Sequence, residues 1–314
     1  MGKTLFIIGN GFDCYGHMLK TKYSDFRDYI IKNYPDYDYD YDGPIESYMM
    51  PDGDEGYDMD ALVGSIIALM DNCAGTEWSA LESAAGTVYA SSILGNNEWY
   101  LHRVDWNDDD RDIRNAIYNN EDISNDITNG FSQLKELFAE WAFNDLSEID
   151  FSSVKKIRTP SFKNAVFLNF NYTSTLEELY NVSPKDICHI HGYAKDSNST
   201  ILFGHGEDTS VDVSSDYFGA KEAFDSLVHV MRKNTGAAIN KNQAFFNSIT
   251  NVNKIYSYGF SFSDVDMCYL DEISRRIIPK NVRWYFNSYD WQNNKEYISK
   301  VKSYGYKIRK CYWW

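Results

Sequence analysis

Cysteine and proline are scarce in this sequence, which has five cysteines and six prolines among 314 residues. The cysteines are scattered along the chain and form no Cys-x-x-Cys pair. This pattern argues against a zinc ribbon and against a disulfide framework. We therefore expect reduced thiols, as in the cytoplasm, and no bound metal.

Positive charge is also in short supply, since 46 acidic residues outnumber 30 lysines and arginines and give a net charge of −16. A protein that binds nucleic-acid phosphates is usually basic, so nucleic acid is not an expected partner. No apolar run is long enough to span a membrane, and no signal-like segment precedes the first predicted strand. We expect a soluble, cytoplasmic protein without a membrane partner.

The most informative segment is Gly9-Asn10-Gly11-Phe12-Asp13, which directly follows an apolar run over residues 5–8. A buried strand that ends in glycines and leads into a helix is typical of nucleotide-binding α/β domains. Glycine lets a phosphate approach the backbone at the N–H groups of a helix N-terminus. We expect a side chain at Gly11 to block that phosphate and to resist a positive φ. The segment lacks the third glycine of the dinucleotide fingerprint and the Gly-Lys-Ser/Thr of a P-loop.

Alternating strand and helix signals predict an α/β fold with a Rossmann-like, mostly parallel sheet of about six strands. A first helix is expected over 22–33, with Thr21 as its N-cap. Strands are expected over 5–9, 165–170, 187–190, 200–204, 254–259, 282–287 and 306–312.

The region between the first two core strands has a different pattern. Residues 35–44 predict an exposed acidic loop, and residues 59–141 have helical periodicity. We therefore divide the chain into a first part of the nucleotide-binding core (1–44), a helical insertion (45–163) and the remainder of the core (164–314).

Two asparagines and a threonine end the next predicted strand, in the segment Asn169-Phe170-Asn171-Tyr172-Thr173. An asparagine side chain both donates and accepts hydrogen bonds, which suits the orientation of a ribose hydroxyl or a water molecule. The alternative is that Asn171 or Thr173 caps the following helix.

A pair of histidines ends a further strand, in His189-Ile190-His191-Gly192. Strand alternation would place His189 and His191 on one face. A metal pair, a catalytic base and a purely structural role all remain open at this point. Ligands collect at the carboxyl ends of strands in α/β proteins, which favours a site role for His191.

Two later segments combine glycines with polar side chains. Glycines flank His205 in Gly204-His205-Gly206, which would let a ligand approach closely or would simply allow a tight turn. In Gly259-Phe260-Ser261-Phe262-Ser263-Asp264, one of the polar side chains is expected to cap the next helix. The others would be free to hold phosphate or ribose.

These motifs, in this order, resemble the sirtuin-like NAD-binding fold. Together with Thr21-Lys22-Tyr23-Ser24-Asp25-Phe26 and Trp78-Ser79-Ala80-Leu81-Glu82, they resemble the AbiH family, which is associated with bacterial abortive infection against phage. The resemblance covers both ends of the chain. Between residues 34 and 163, the Trp-x-x-Leu-Glu segment is the part that matches.

The sirtuin-like resemblance implies roles for these motifs. Gly9 to Asp13 would contact the pyrophosphate of NAD, Asn171 would orient the nicotinamide riboside end, and His191 would be the catalytic histidine. The remaining NAD contacts would come from Gly204, His205, Gly259, Ser261 and Asp264. This sequence departs from the pattern at Thr173, where an acid is usual, and at Asn10, where alanine is usual. A deacetylase is not expected because the zinc module is missing.

The first functional hypothesis is an anti-phage defence protein that binds NAD and hydrolyses its nicotinamide–ribose bond, with Asn171 and His191 catalytic. A non-catalytic nucleotide sensor is the second hypothesis. A metal-dependent phosphohydrolase or nuclease, using His189, His191, His205, Asp264 and Asp266, is the third. Two protein partners remain open: a phage-derived or host trigger protein, and a second copy of the chain.

Overall fold

The computed structural model of the protein describes residues 2–41, 43–53 and 55–312. The strands are β1 (Lys3–Ile8), β2 (Ser47–Met49), β3 (Glu55–Tyr57), β4 (Ala165–Asn169), β5 (Ile187–His189), β6 (Val252–Tyr258), β7 (Arg283–Phe286) and β8 (Lys307–Lys310). The helices are α1 (Tyr23–Asn33), α2 (Met59–Ala74), α3 (Leu81–Ala84), α4 (Thr87–Asn97), α5 (Asp110–Ser132), α6 (Leu134–Trp141), α7 (Thr175–Tyr180), α8 (Lys221–Met231), α9 (Thr235–Lys241), α10 (Gln243–Ser248), α11 (Met267–Arg276), α12 (Ser288–Asn293) and α13 (Lys295–Ser303).

The chain forms two compact units, which we describe separately. The first comprises Met1–Lys22, Ala142–Leu202 and Asn234–Trp314. The second comprises Tyr23–Trp141 and Phe203–Lys233. Compactness does not by itself test where a domain begins or ends, so the predicted limits at residues 44 and 163 stay predictions.

Six strands of the first unit form one sheet in the order β5-β4-β1-β6-β7-β8, and each neighbouring pair is parallel. Counted along the chain within this sheet, the order is third, second, first, fourth, fifth, sixth, as in a doubly wound Rossmann-like sheet. The order reverses between β1 and β6, so the carboxyl ends of these strands meet at the topological switch point. The predicted α/β fold with a mostly parallel sheet of about six strands is confirmed.

Both faces of the central strand β1 are buried, which explains why it reads as a continuous apolar run. Leu5 and Ile7 belong to a core shared with residues of α9, α10, α11 and α13. Phe6 and Ile8 face the other side, where Leu176 of α7 packs against them. The sheet thus has helices packed on each face, and its carboxyl edge is where the connecting loops gather.

The strand predicted over 200–204 does not form, since these residues have no strand structure. The N–H of Leu202 donates to the carbonyl of His191 at 2.7 Å, and its carbonyl accepts from the Tyr172 hydroxyl at 2.9 Å. Gly204 has a φ of +131°, which a regular strand does not accommodate. Residues 200–204 were predicted as a strand because they form an apolar run of suitable length. They do not form one because the backbone groups of Leu202 bond to loop residues rather than to a strand.

The second unit contains helices α1–α6 and α8, as the helical periodicity predicted for most of this region. The sequence reading missed its antiparallel hairpin of β2 and β3. Residues 35–41 form the predicted acidic loop without strand structure, and Asp42 lies outside the described residues. None of the helices in the described parts of the chain is both long and apolar enough to cross a membrane.

The Trp-x-x-Leu-Glu segment makes hydrogen-bond, packing and ion-pair contacts within the second unit. The indole N–H of Trp78 donates to Oδ1 of Asp71 at 2.7 Å, and Arg27 binds both oxygens of the same carboxylate at 2.8 and 2.7 Å. Leu81 is buried, and Glu82 lies 2.5 Å from the buried ammonium group of Lys233. The spacing of this segment is therefore explained by three packing and pairing roles inside one unit.

Candidate functional site

Two glycine loops meet at the switch point of the sheet, one after β1 and one after β6. The N–H of Gly9 donates to the carbonyl of Tyr258 at 3.0 Å, and that of Gly11 donates to the carbonyl of Gly259 at 3.1 Å. A Cβ on Gly11 would lie 2.6 Å from Cα of Gly259, and one on Gly9 would lie 2.5 Å from the Gly259 carbonyl oxygen. Glycine is needed at both positions because the two backbones pack directly against each other.

The conformation of Gly11 corrects one reason that the sequence suggested for this residue. Its φ is −60°, an ordinary right-handed value, so a positive φ does not require glycine here. Gly259 has the left-handed backbone instead, with a φ of +64°. A side chain at Gly11 would push against the Gly259 backbone, so its substitution would disturb the fold as well as any bound phosphate.

The turn after β1 uses its own N–H groups to hold its shape. Phe12 donates to the carbonyl of Gly9 at 2.9 Å, while Asp13 and Cys14 donate to that of Asn10 at 3.0 and 2.9 Å. The side chain of Asn10 binds Thr21 twice, donating to its carbonyl at 2.6 Å and accepting from its hydroxyl at 2.7 Å. Thr21 is therefore tied to the turn, and α1 begins at Tyr23 rather than at residue 22.

Asp13 lies at the centre of a polar cluster where β1 and β4 end, and its side chain is fully buried. Its Oδ2 accepts a 2.5 Å hydrogen bond from the Thr173 hydroxyl, which lies 2.9 Å from the hydroxyl of Thr175. Burial raises the pKa of Asp13 to about 6, although Thr173, Thr175, Asn171 and the charge of His189 act to lower it. We call Asp13, Asn171, Thr173, Thr175 and His189 the Asp13 cluster.

Buried oxygen atoms of this cluster lack a hydrogen-bond partner among the described residues. They are Oδ1 of Asp13 and Oδ1 of Asn171, and the adjacent helix α7 and its N-cap add Oε2 of Glu177 and Oγ of Ser174. A buried polar atom left unpaired costs about 1–3 kcal/mol. Several such atoms at the ends of neighbouring parallel strands make this edge of the sheet the candidate site for a ligand.

His189 is held by a carboxylate and a stacked ring. Its Nε2 lies 2.8 Å from Oε1 of Glu177, and its ring stacks on Tyr193 with the centroids 4.2 Å apart. Strand β5 ends at His189, so the expected alternation does not extend to His191. The two imidazoles contact different carboxylates. Within the part of the chain that the structure describes, no group of three or more His, Cys, Asp or Glu side chains is arranged to hold a metal.

His191 is buried beside Asp266, with its Nε2 3.2 Å from Oδ1 of the carboxylate. The two groups are not aligned for a hydrogen bond, so Nε2 of His191 has no hydrogen-bond partner among the described residues. Its ring meets Phe170 edge-on, with the centroids 5.0 Å apart. His191 and Asn171 thus each present an unsatisfied buried atom in the loops that follow β5 and β4.

Ser261 and Asp264 lie in the loop and turn after β6, and both residues are exposed, whereas Asp13 is buried. Asp264 pairs with the ammonium group of Lys300 at 3.0 Å. The expected capping of the next helix is wrong, since neither the turn Asp264–Asp266 nor α11 has a side-chain cap. Ser263 instead donates to Oδ2 of Asp266 at 3.1 Å.

Gly204 and His205 belong to the second unit, where backbone groups account for both residues. A Cβ on Gly204 would lie 1.8 Å from the carbonyl oxygen of Met231. Nε2 of His205 lies 2.8 Å from the carbonyl oxygen of Val228, while Nδ1 accepts from the N–H of Glu207 at 3.1 Å. The pKa of His205 is lowered mainly by burial. These contacts give His205 a structural role in its unit, and a contact with nucleotide stays a prediction.

Sequence reasoning missed several residues that position the site. Glu177 contacts His189, and Thr175 extends the contacts of Thr173. His17 supports the glycine turn, with Nδ1 2.7 Å from the carbonyl oxygen of Phe12 and Nε2 2.8 Å from the Tyr180 hydroxyl. No local signal marks His17, because its Tyr180 partner is distant in sequence. Asp266 was a candidate only in the metal-dependent hypothesis, and its contact with His191 was not predicted.

Together these features define a doubly wound α/β protein with an incompletely satisfied polar cluster where its parallel strands end. The sequence model described as "Bacteriophage abortive infection AbiH" matches residues 5–288, which is most of the chain. The protein therefore belongs to the AbiH family and has a role in defence against phage by abortive infection. No curated protein matches the chain, and neither does any solved structure. The sirtuin-like resemblance depends on the motifs alone and stays a prediction.

Proposed function

We propose that the first unit binds NAD at the carboxyl edge of its sheet and hydrolyses the nicotinamide–ribose bond. The observation that carries this proposal is a set of buried polar atoms on Asp13, Asn171 and His191 that have no hydrogen-bond partner among the described residues. They follow three strands of one parallel sheet of Rossmann-like order, where such folds bind ligands. Loss of NAD would give the family's defence role a direct chemical basis.

The ribose end of NAD fits the residues better than the pyrophosphate does. Ribose hydroxyls both donate and accept hydrogen bonds, so they suit the imidazole of His191 and the Oδ1 atoms of Asp13 and Asn171, which have no hydrogen-bond partner in the described part of the chain. The glycine turn is less open to a phosphate, because the N–H groups of residues 11–14 are bonded to backbone carbonyls. Recognition should therefore depend mainly on the ribosyl end.

The proposed reaction gives each polar side chain a distinct task. Asn171 holds a ribose hydroxyl or the attacking water, and His191 accepts a proton from that water. The water oxygen bonds to the ribosyl carbon, and nicotinamide leaves with the electron pair of the broken C–N bond. Asp266 lies within ion-pair distance of His191 and would stabilise the imidazolium that results.

The decisive experiment is incubation of the purified protein with NAD, with and without EDTA, followed by measurement of nicotinamide and ADP-ribose. We expect both products in equal amounts, unaffected by EDTA. His191→Ala should lose turnover while it keeps NAD binding, and Val230→Ala, an exposed position in the second unit, serves as the control. Tight binding without products would instead favour a nucleotide sensor, and loss of turnover with EDTA would favour a metal-dependent hydrolase.

A further inference from the structure

We propose that Asp13 makes the site selective for N-ribosyl substrates that carry positive charge at the base, such as the pyridinium of oxidised nicotinamide nucleotides. This inference rests on the proposed function and adds which property of the substrate the site selects. Neutral ribosides, including reduced nicotinamide nucleotides, would bind more weakly at the same site.

The two oxygens of the Asp13 carboxylate have different surroundings. Thr173 holds Oδ2 at 2.5 Å, whereas Oδ1 is buried without a hydrogen-bond partner among the described residues. Within those residues Asp13 also makes no ion pair with a lysine or arginine, and the basic side chain with an electrostatic influence on it is His189. The protein thus buries a carboxylate and supplies little positive charge to offset it.

A buried anion without a counter-charge attracts a cation more strongly than an exposed one does, because the surrounding medium screens the charge poorly. A pyridinium riboside brings positive charge in the ground state. During bond cleavage that charge moves to the ribosyl group, so a nearby carboxylate stabilises both stages. A neutral riboside brings no such charge, so it gains no such attraction from the Asp13 carboxylate.

Selectivity should depend on the protonation of Asp13. Asn171, Thr173 and Thr175 are neutral, while His189 and Tyr180 are the titratable groups in electrostatic contact with this carboxyl. Because burial raises the pKa of Asp13 to about 6, the carboxyl is mostly protonated near pH 5 and mostly ionised near pH 8. The preference for a cationic over a neutral riboside should therefore increase as the pH rises from about 5 to about 8.

The test compares the binding of NAD⁺, NADH and nicotinamide riboside by calorimetry at about pH 5.5 and about pH 8. Asp13→Asn removes the charge and keeps an oxygen that can accept from Thr173. Asp290→Asn is the matched control, because Asp290 is also buried with a raised pKa in the same unit but both its oxygens are hydrogen-bonded. A circular dichroism spectrum establishes that each variant is folded.

We expect the wild type to prefer NAD⁺ over NADH by about tenfold at the higher pH, which corresponds to about 1.4 kcal/mol. The preference should shrink at the lower pH, vanish in Asp13→Asn and persist in Asp290→Asn. Equal affinity for NAD⁺ and NADH, or an unchanged preference in Asp13→Asn, would overturn the role of Asp13 and leave NAD binding standing. Selective binding of nicotinamide riboside without binding of NAD⁺ would refute NAD binding and leave the role of Asp13 standing. Binding of none of the three would refute both proposals.

Discussion

The hydroxyl of Thr173 donates a 2.5 Å hydrogen bond to Oδ2 of Asp13, although the two residues lie 160 positions apart in the sequence. This bond joins the turn after β1 to the loop after β4 at the carboxyl edge of the sheet. It satisfies one carboxylate oxygen, while the other is buried without a hydrogen-bond partner in the part of the chain that the structure describes. The folded protein therefore carries a free-energy cost whenever Asp13 is ionised, which makes its stability depend on pH.

Asp13→Asn should stabilise the protein at neutral pH and change little in acid. The pKa of Asp13 is raised from 3.8 to about 6, so ionisation opposes folding as pH rises through this interval. The full cost, on the order of 3 kcal/mol, is present above about pH 6 and absent below about pH 4. Urea unfolding at about pH 4 and about pH 7.5 measures the difference. The exposed Asp108→Asn serves as the control, and an equal effect of Asp13→Asn at both pH values would contradict the prediction.

Gly11→Ala should destabilise the protein by at least about 2 kcal/mol, because the added Cβ would lie 2.6 Å from Cα of Gly259. Gly95→Ala is the matched control, since a Cβ at this helical position meets nothing within 4 Å. That substitution should stabilise the protein by about 0.5–1 kcal/mol. Thermal or urea unfolding of the two variants gives the comparison. Similar stability for both would mean that the glycine loops are not in backbone contact.

Trp78→Phe should cost about 1–3 kcal/mol, because it removes the indole N–H that donates to Asp71 and leaves a smaller ring in the core. Trp99 is 90% exposed in the same unit, so Trp99→Phe should change the free energy of unfolding by less than about 0.5 kcal/mol. Chemical denaturation followed by circular dichroism measures both. If Trp99→Phe lowered the free energy of unfolding as much as Trp78→Phe does, the hydrogen bond to Asp71 would not account for the loss at Trp78.

His205→Ala should destabilise the protein by about 2–4 kcal/mol, since two backbone groups lose their partner. Burial lowers the pKa of His205 below 6.5, so the folded state needs the neutral ring. The contribution is complete above about pH 6.5 and declines as pH falls, because the unfolded chain then binds the proton more readily. The difference in unfolding free energy between the variant and the wild type should therefore be smaller at about pH 5 than at about pH 7.5. Exposed His229→Ala is the control, and a constant difference would contradict a neutral His205.

Part of the fold was predictable because β1 and β4 are buried on both faces and read as apolar runs. Ala165–Asn169 and the less apolar Val252–Tyr258 became neighbours of β1, as a doubly wound sheet requires. The apolar run over 200–204 did not form a strand, because the φ of Gly204 and the contacts of Leu202 are not encoded by apolarity. The hairpin of β2 and β3 was missed, since its strands have three residues each.

The placement of the candidate residues along one edge of the sheet was predictable, but their contacts with one another were not. Strand ends identified Gly9, Asn171 and His191 as residues of one sheet edge. The pairing of Asp13 with Thr173, and of His191 with Asp266, joins segments far apart in the chain and has no local signature. Thr173 was considered as a possible helix cap and as a departure from a motif, yet it is the residue that binds the buried carboxyl.

The placement of β1 has a consequence for synthesis of the protein. This strand lies in the middle of the sheet, but its two neighbours, residues 165–169 and 252–258, are synthesised well after it. Its apolar side chains therefore stay unpaired during synthesis for more than 150 residues, which favours chaperone binding and slow assembly. The contact between the two glycine loops cannot form before residue 259 is made, so a shorter chain would lack the complete carboxyl edge of the sheet.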